Sequence, residues 1–185
     1  MDRRGFLLKS TIGVSGATLA GTLSQAATDE TGKNPKFVYR TMGRTKLEVP
    51  VVSFGVMNTD SPDLIKKALE SGIKYLDTAN AYLRGNSEIS IGRVLKETGM
   101  RDKVYVGTKV LLARDFRNRV FSDQDGFGPA ATTENFNKQL DQSLERLQSD
   151  YVDVLHIHLC ESAEMVNFEV TLNAAFKEAR EKRHE

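Results

Sequence analysis

The chain has 185 residues, long enough for one domain with a substantial core. Apolar residues make up 39% and charged residues 28%, an ordinary balance for a soluble globular protein. A net charge of +1 gives no electrostatic footprint for a nucleic-acid partner, and the single cysteine, Cys160, excludes a disulfide framework and a cysteine-based zinc site within one chain.

The first residues read as a targeting segment. Arg3-Arg4 is followed by Phe6, Leu7 and Lys9, then by a mildly apolar run to Leu23 and by Ser24-Gln25-Ala26, small at both ends as a signal peptidase requires. The run is too short and too weakly apolar for a membrane-spanning helix. It resembles a twin-arginine export signal. The resemblance implies a signal peptide over 1–26, a partner in the twin-arginine export machinery, and a mature chain outside the cytoplasm, periplasmic or extracytoplasmic, without a membrane span. The plainer alternative is an ordinary basic amphipathic N-terminus. Residues 27–36, polar with Gly32 and Pro35, read as a linker.

The domain begins at residue 37. Phe37–Arg40 and Leu47–Val49 flank Gly43-Arg44-Thr45 and predict a short β-hairpin. Val51–Gly55 reads as a first core strand. Ser61-Pro62 supplies an N-cap with proline behind it, Leu64, Ile65, Ala68 and Leu69 share one helical face, and Gly72 stops the helix. The same unit then recurs. A second strand over Ile73–Asp77 precedes a helix from about Ser87 to Thr98, closed by Gly99. A third strand, Val104–Lys109, precedes a helix beginning near Thr133 with Phe136, Leu140, Leu144 and Leu147 on one face. A fourth strand, Tyr151–His158, precedes a helix containing Leu172, Ala175, Phe176 and Ala179.

Strand followed by helix, four times over, argues for a parallel sheet with crossover helices. Neither G-x-G-x-x-G nor G-x-x-x-x-G-K-[ST] occurs at a strand–helix turn, so the two common phosphate-loop folds lose support. The expected fold class is α/β: a partial (β/α)8 barrel, the first four βα units, preceded by the hairpin. A complete barrel usually needs about 250 residues.

Active sites of such barrels lie at the C-terminal ends of the strands. Asp77 closes the second strand, Tyr82 lies in the loop after it, Lys109 closes the third and His158 the fourth. The neighbours Leu76, Thr108 and Ile157 point to the other face, so Asp77, Lys109 and His158 point inward together. Three polar groups buried apart would each cost desolvation; converging, they offset it. A free phenol is poorly matched to proton transfer near neutrality, and a nearby cation favours its ionised form. Asp77 would hold Lys109 charged, Lys109 would face the Tyr82 hydroxyl, and His158 would orient a substrate oxygen. The bland alternatives are a structural Asp77–Lys109 ion pair between neighbouring strands, a loop aromatic at Tyr82 packed on the second helix, and a satisfied interior histidine at His156.

Lys74-Tyr75-Leu76-Asp77-Thr78-Ala79 with Tyr82, Val106-Gly107-Thr108-Lys109, and Asp150 to His158 resemble the aldo-keto reductase superfamily. Tyr39 to Thr45, Val52-Ser53-Phe54-Gly55, and Asn86-Ser87-Glu88 through Gly92 are similar to its hairpin, first strand and second helix. The resemblance covers about residues 37 to 182. It implies a (β/α)8 barrel that reduces aldehydes and ketones with NADPH, with a small carbonyl compound as substrate. Tyr82 would be the proton donor, Lys109 its tuning cation, Asp77 the lysine's anchor and His158 the carbonyl's guide. Gly55, Val56 and Met57 would lie near the nicotinamide, with Asp77 beneath it. The family's grip on the rest of the cofactor comes from strands five to eight, which this sequence does not supply. The expectation is therefore a truncated form, its open sheet edges free to self-associate.

Two rival functions follow from the same residues. One is a catalytically inactive half-barrel, or an exported binding scaffold. The other is a metal-dependent hydrolase using His156 and His158, which share a strand face at ligand spacing. The stretch from Leu111 to Ala131, with Arg114, Phe116, Arg117, Phe121 and Phe127, is long for a connection and is expected to form a wall of the substrate pocket, or else a mobile insertion.

Overall fold

The computed structural model describes residues 36–111 and 132–159, together with Lys177. The signal segment, most of the linker, the residues beyond Leu111 in the long loop, and the fourth helix apart from Lys177 lie outside the described residues.

The hairpin is formed by β1 (Tyr39–Thr41) and β2 (Glu48–Pro50), antiparallel with Arg40 opposite Val49. A 3-10 turn over Gly43–Thr45 joins them, with the Thr45 hydroxyl donating to the Met42 carbonyl at 2.6 Å. Val51 N then donates to Val38 O at 2.9 Å, so this residue still belongs to the hairpin. That is why the first core strand, expected from Val51, contains only Phe54–Gly55 (β3), and why Val51 and Val52 are exposed.

Helix α1 (Pro62–Glu70) starts where expected. The Ser61 hydroxyl accepts from Leu64 N, proline stands at N1, and Ile65, Ala68 and Leu69 are buried. Gly72, with φ of 95°, lets the chain turn out of the helix into β4 (Tyr75–Asp77). Helix α2 (Asn86–Thr98) ends at left-handed Gly99, which leads through a 3-10 turn into β5 (Tyr105–Val110). Helix α3 (Thr133–Leu147) is capped by the Thr132 hydroxyl, which accepts from Asn135 N at 3.2 Å. The last described strand, β6, spans Val154–Ile157.

That strand is shorter than the expected Tyr151–His158 because its entry is occupied by caps. The Tyr151 carbonyl accepts from Arg101 and from the Ser149 hydroxyl, and the Asp153 carboxylate accepts from Val106 N at 2.8 Å. Arg101 also pairs with Asp153 at 3.1 Å and stacks over the Tyr151 ring, 3.8 Å from its centroid. This cluster pins β6 to β5 at the ends of the strands where the chain enters.

The four parallel strands lie in the order β3-β4-β5-β6, the order of the chain. A doubly wound sheet reverses its order partway, whereas a barrel wall does not. Strand periodicity then separates two faces. Leu76 and Val106 join Val56, Ile65, Leu69, Ile91, Val94, Leu95, Val104 and Leu147 in the core beneath the helices. Tyr75, Asp77, Gly107 and Lys109 alternate with them and face the concave side. No helix among the described residues is long and apolar enough to cross a membrane.

Candidate active site

Asp77 is the last residue of β4, and Lys109 stands one residue before the end of β5, on the neighbouring strand. Their register brings the side chains together: Lys109 Nζ donates to Asp77 Oδ2 at 2.5 Å and to the Thr78 carbonyl at 2.7 Å. Both side chains are partly shielded, at 17% and 30% exposure, so water weakens the pair less than at an open surface.

Tyr82 opens the turn between β4 and α2, its amide donating to Ala79 O at 3.1 Å. Lys109 Nζ lies over the Tyr82 ring, 5.0 Å from its centroid, within range of a cation–π contact. His158 follows β6 directly, and its amide donates to Val110 O at 2.9 Å. Its ring meets Tyr82 edge-on, with centroids 5.4 Å apart and planes at 82°. All four residues expected at the site are thus gathered at one end of the sheet. Lys109 was expected to face the Tyr82 hydroxyl, and the structure places its Nζ over that residue's ring.

The turn carrying Tyr82 is unusual. Leu83, Arg84 and Gly85 have φ of 47°, 58° and 89°, a left-handed run in which only the glycine is at ease. Such conformations persist where surroundings enforce them, and they concentrate at functional sites. Asn80 supplies part of that enforcement. Its amide donates to Lys109 O at 3.0 Å, its Nδ2 donates to Gln139 Oε1 at 2.8 Å, and its Oδ1 accepts from Leu111 N at 3.3 Å. One residue therefore ties the Tyr82 turn to both the exit of β5 and helix α3. Sequence reasoning missed it, since the only signal was a polar residue inside Asp77–Tyr82 and its partner is far along the chain.

The loop after β3 is fixed beside Asp77. Val56 N donates to Asp77 O at 3.0 Å, while Ser87 and Ser90 of α2 donate to the carbonyls of Val56 and Asp60, each at 2.7 Å. Of the three residues expected near a nicotinamide, Val56 turns its side chain wholly into the core, leaving only its backbone for that role. Gly55 is exposed, and a Cβ built on it would meet nothing within 4 Å. Met57 is 51% exposed. Open space at Gly55, next to Asp77 in the sheet, is compatible with a flat ring resting there.

His156, opposite Lys109 in the register, was expected as an interior histidine but is exposed among the described residues. Its pKa is lowered from 6.5, first by desolvation, then by the Lys109 cation, against the opposing pull of Asp77. Tyr75 lies deeper on the same concave face; burial, then Asp77 and Asp153, pushes its phenol up to about 12. No group of three or more His, Cys, Asp or Glu among the described residues is placed to hold a metal ion.

Comparison with known proteins bears on the fold and the family. The chain is 36% identical over 104 residues to the aldo-keto reductase YhdN of Bacillus subtilis, covering 56% of this chain and 29% of that protein. It is 34% identical over 134 residues to the L-galactose dehydrogenase of Arabidopsis thaliana, covering 66% and 38% respectively. Among solved structures, an aldo-keto reductase from Bacillus halodurans in its holo form matches with a TM-score of 0.62 at 26% identity, over 79% of this chain and 47% of that one. The chain thus spans less than half the length of these relatives. The model of the aldo/keto reductase family matches residues 53–179. The fold is a partial (β/α)8 barrel, and the chain belongs to the aldo/keto reductase family.

Proposed function

We propose that this chain carries the proton-donating wall of an NADP(H)-dependent reductase of aldehydes or ketones. One observation supports the reading above others: the Lys109–Asp77 pair, Tyr82 and His158 converge at the exit end of the sheet. A carbonyl oxygen held between the Tyr82 hydroxyl and the His158 ring would be oriented by both. Tyr82 Oη would give that oxygen its proton as the carbonyl carbon is reduced, leaving an alcohol and a phenolate. Lys109, held inward by Asp77, would stabilise that phenolate until solvent returns the proton. A reduced nicotinamide, when bound, supplies the hydride; Gly55, Met57, Asp77 and the Val56 backbone are the residues here that would border it. The family's remaining cofactor contacts come from strands five to eight.

The test is binding and turnover. The reading expects NADPH to bind, and its oxidation to depend on an added aldehyde. It expects Tyr82→Phe to lower kcat on the order of 100- to 10,000-fold with cofactor affinity unchanged. An equal rate for Tyr82→Phe would remove Tyr82 as donor.

A second reading is a half-barrel without turnover. Failure of the 185-residue chain to bind NADPH, with the fold intact by circular dichroism, would select this reading. We also propose export by the twin-arginine route, on the strength of Arg3-Arg4 and the run behind them. Retention in the cytoplasm of the Arg3→Lys, Arg4→Lys double variant, with the parent exported, is the expected result.

A further inference from the structure

Behind the site, on the helix side of the sheet, lies a fully buried carboxylate. Glu88 of α2 has no exposed surface. Its Oε1 accepts from the Thr108 hydroxyl at 2.6 Å, and its Oε2 accepts from Arg146 Nε at 2.7 Å. Arg146 in turn donates to Ser143 Oγ at 3.2 Å, so the guanidinium is held on its own helix as well.

One partner of this carboxylate adjoins a site residue, and the other crosses the turn that carries one. Thr108 precedes Lys109 on β5; in a strand, fixing one side chain to the helix face fixes its neighbour toward the other face. Arg146 crosses Gly85, the last residue of the left-handed run that starts after Tyr82. A Cβ there would come within 2.8 Å of Arg146 Cδ and 2.9 Å of Nε. The two helices are close enough for this because Gly92 also lacks a side chain: a Cβ on it would lie 2.5 Å from the Arg146 carbonyl. A buried ion pair is weak support for stability by itself, since desolvation offsets much of the attraction. Its best-attested use is to fix register, and here the register joins the strand of Lys109 to the turn of Tyr82.

We infer that Glu88, Arg146 and Thr108 form a positioning cluster that sets the spacing between Lys109 and Tyr82 from behind the sheet. For its kinetic consequence the inference rests on the reductase reading; its geometric consequence does not. Glu88 orients Thr108 and hence the strand that carries Lys109. Arg146 holds Gly85 and hence the turn that carries Tyr82. The same carboxylate joins the two, so a change at either end alters the 5.0 Å separation of Lys109 Nζ from the Tyr82 ring.

Removing Glu88 or Arg146 outright would strand a buried charge and threaten the fold. The test therefore uses Thr108→Val, which keeps the shape but not the hydroxyl, against Thr108→Ser, which keeps the hydroxyl. In the full chain, nuclear Overhauser contacts of the Tyr82 ring with the Lys109 and His158 side chains are compared with core contacts between Leu76 and Val106. The inference expects Thr108→Val to weaken the Tyr82–Lys109 contact several-fold with the core contacts unchanged, and Thr108→Ser to keep it. An unchanged site contact in a Thr108→Val chain that is merely less stable would overturn it, as would absence of the contact in the parent. Should Thr108→Val not fold, Arg146→Lys, which keeps a cation but loses the planar crossing of Gly85, carries the same comparison.

Kinetics form the second arm. A displacement of about 1 Å costs on the order of a hundred-fold in rate. Thr108→Val is expected to lower kcat by that order with KM unchanged, and Thr108→Ser to restore it. A parent chain without turnover would sink the reductase reading while leaving the resonance comparison to decide the positioning role.

Discussion

The hydroxyl of Tyr75 occupies the space that a side chain at Gly107 would need. The two residues are on adjacent strands and face the same concave side, so the phenol lies across β5 just beneath the Asp77–Lys109 pair. Glycine is required there for close approach. Gly107→Ala is expected to displace the ring and destabilise the chain by about 1–3 kcal/mol, the usual penalty for overpacking. Urea unfolding checks this: the midpoint should fall with an unchanged slope.

Tyr75 also sets a feature of the alkaline limb. Its pKa rises from 10.0 unfolded to about 12 folded, through burial first and the two carboxylates second. The folded state therefore holds the phenolic proton more tightly. This contribution to stability is fully present below pH 10, and is lost as pH climbs from there through about 12. A Tyr75→Phe chain lacks it, so its unfolding midpoint should decline less steeply over the same interval.

His156 offers an independent check on the charges of the site. The lowered value means that the folded state prefers the neutral ring. Its contribution is present above the unfolded value of 6.5 and is lost as pH falls through the lower folded value. Because the Lys109 cation lowers it and Asp77 raises it, Lys109→Met should move the imidazole titration up and Asp77→Asn should move it further down. Proton resonance of the ring, followed with pH, reads both shifts directly. Shifts of the opposite sign would mean that His156 does not face this pair.

Asn80→Ala removes the acceptor for Leu111 N and the donor to Gln139. Leaving a part-buried amide unsatisfied costs about 1–3 kcal/mol. The expected local sign is faster hydrogen exchange at the Leu111 amide, with exchange at Val106, inside the sheet, little changed. Uniform acceleration across both would instead point to a global loss of stability.

Much of this arrangement was legible in the sequence because it rests on local rules. Period-two alternation around Leu76 and Thr108 placed Asp77 and Lys109 on one face, and Ser61-Pro62, Gly72 and Gly99 marked helix ends where the structure has them. What failed was strand length. Val51-Val52 has every mark of a strand, but its backbone is claimed by the hairpin; Tyr151 likewise serves the Arg101 cluster. The contacts behind the site were not legible at all. Nothing in the sequence paired Glu88 with Arg146, and only the tertiary approach allowed by Gly85 and Gly92 joins them, with the carboxylate buried and the guanidinium partly so. The same holds for Asn80 and Gln139.

The left-handed turn after Tyr82 has a consequence for the order of assembly. Two non-glycine residues there hold a conformation that costs roughly 1–2 kcal/mol each. The group that lies across the end of the turn, Arg146, comes from a helix far later in the chain. Until α3 docks, the turn lacks Arg146 and the Gln139 partner of Asn80 and keeps only its ties to the exit of β5. Strands β4 and β5 can pair from nearby sequence, but the turn that carries Tyr82 is completed only by a long-range contact. During refolding, backbone protection in the sheet should therefore appear before the Tyr82 ring reaches its native surroundings: the scaffold matures first and the turn last.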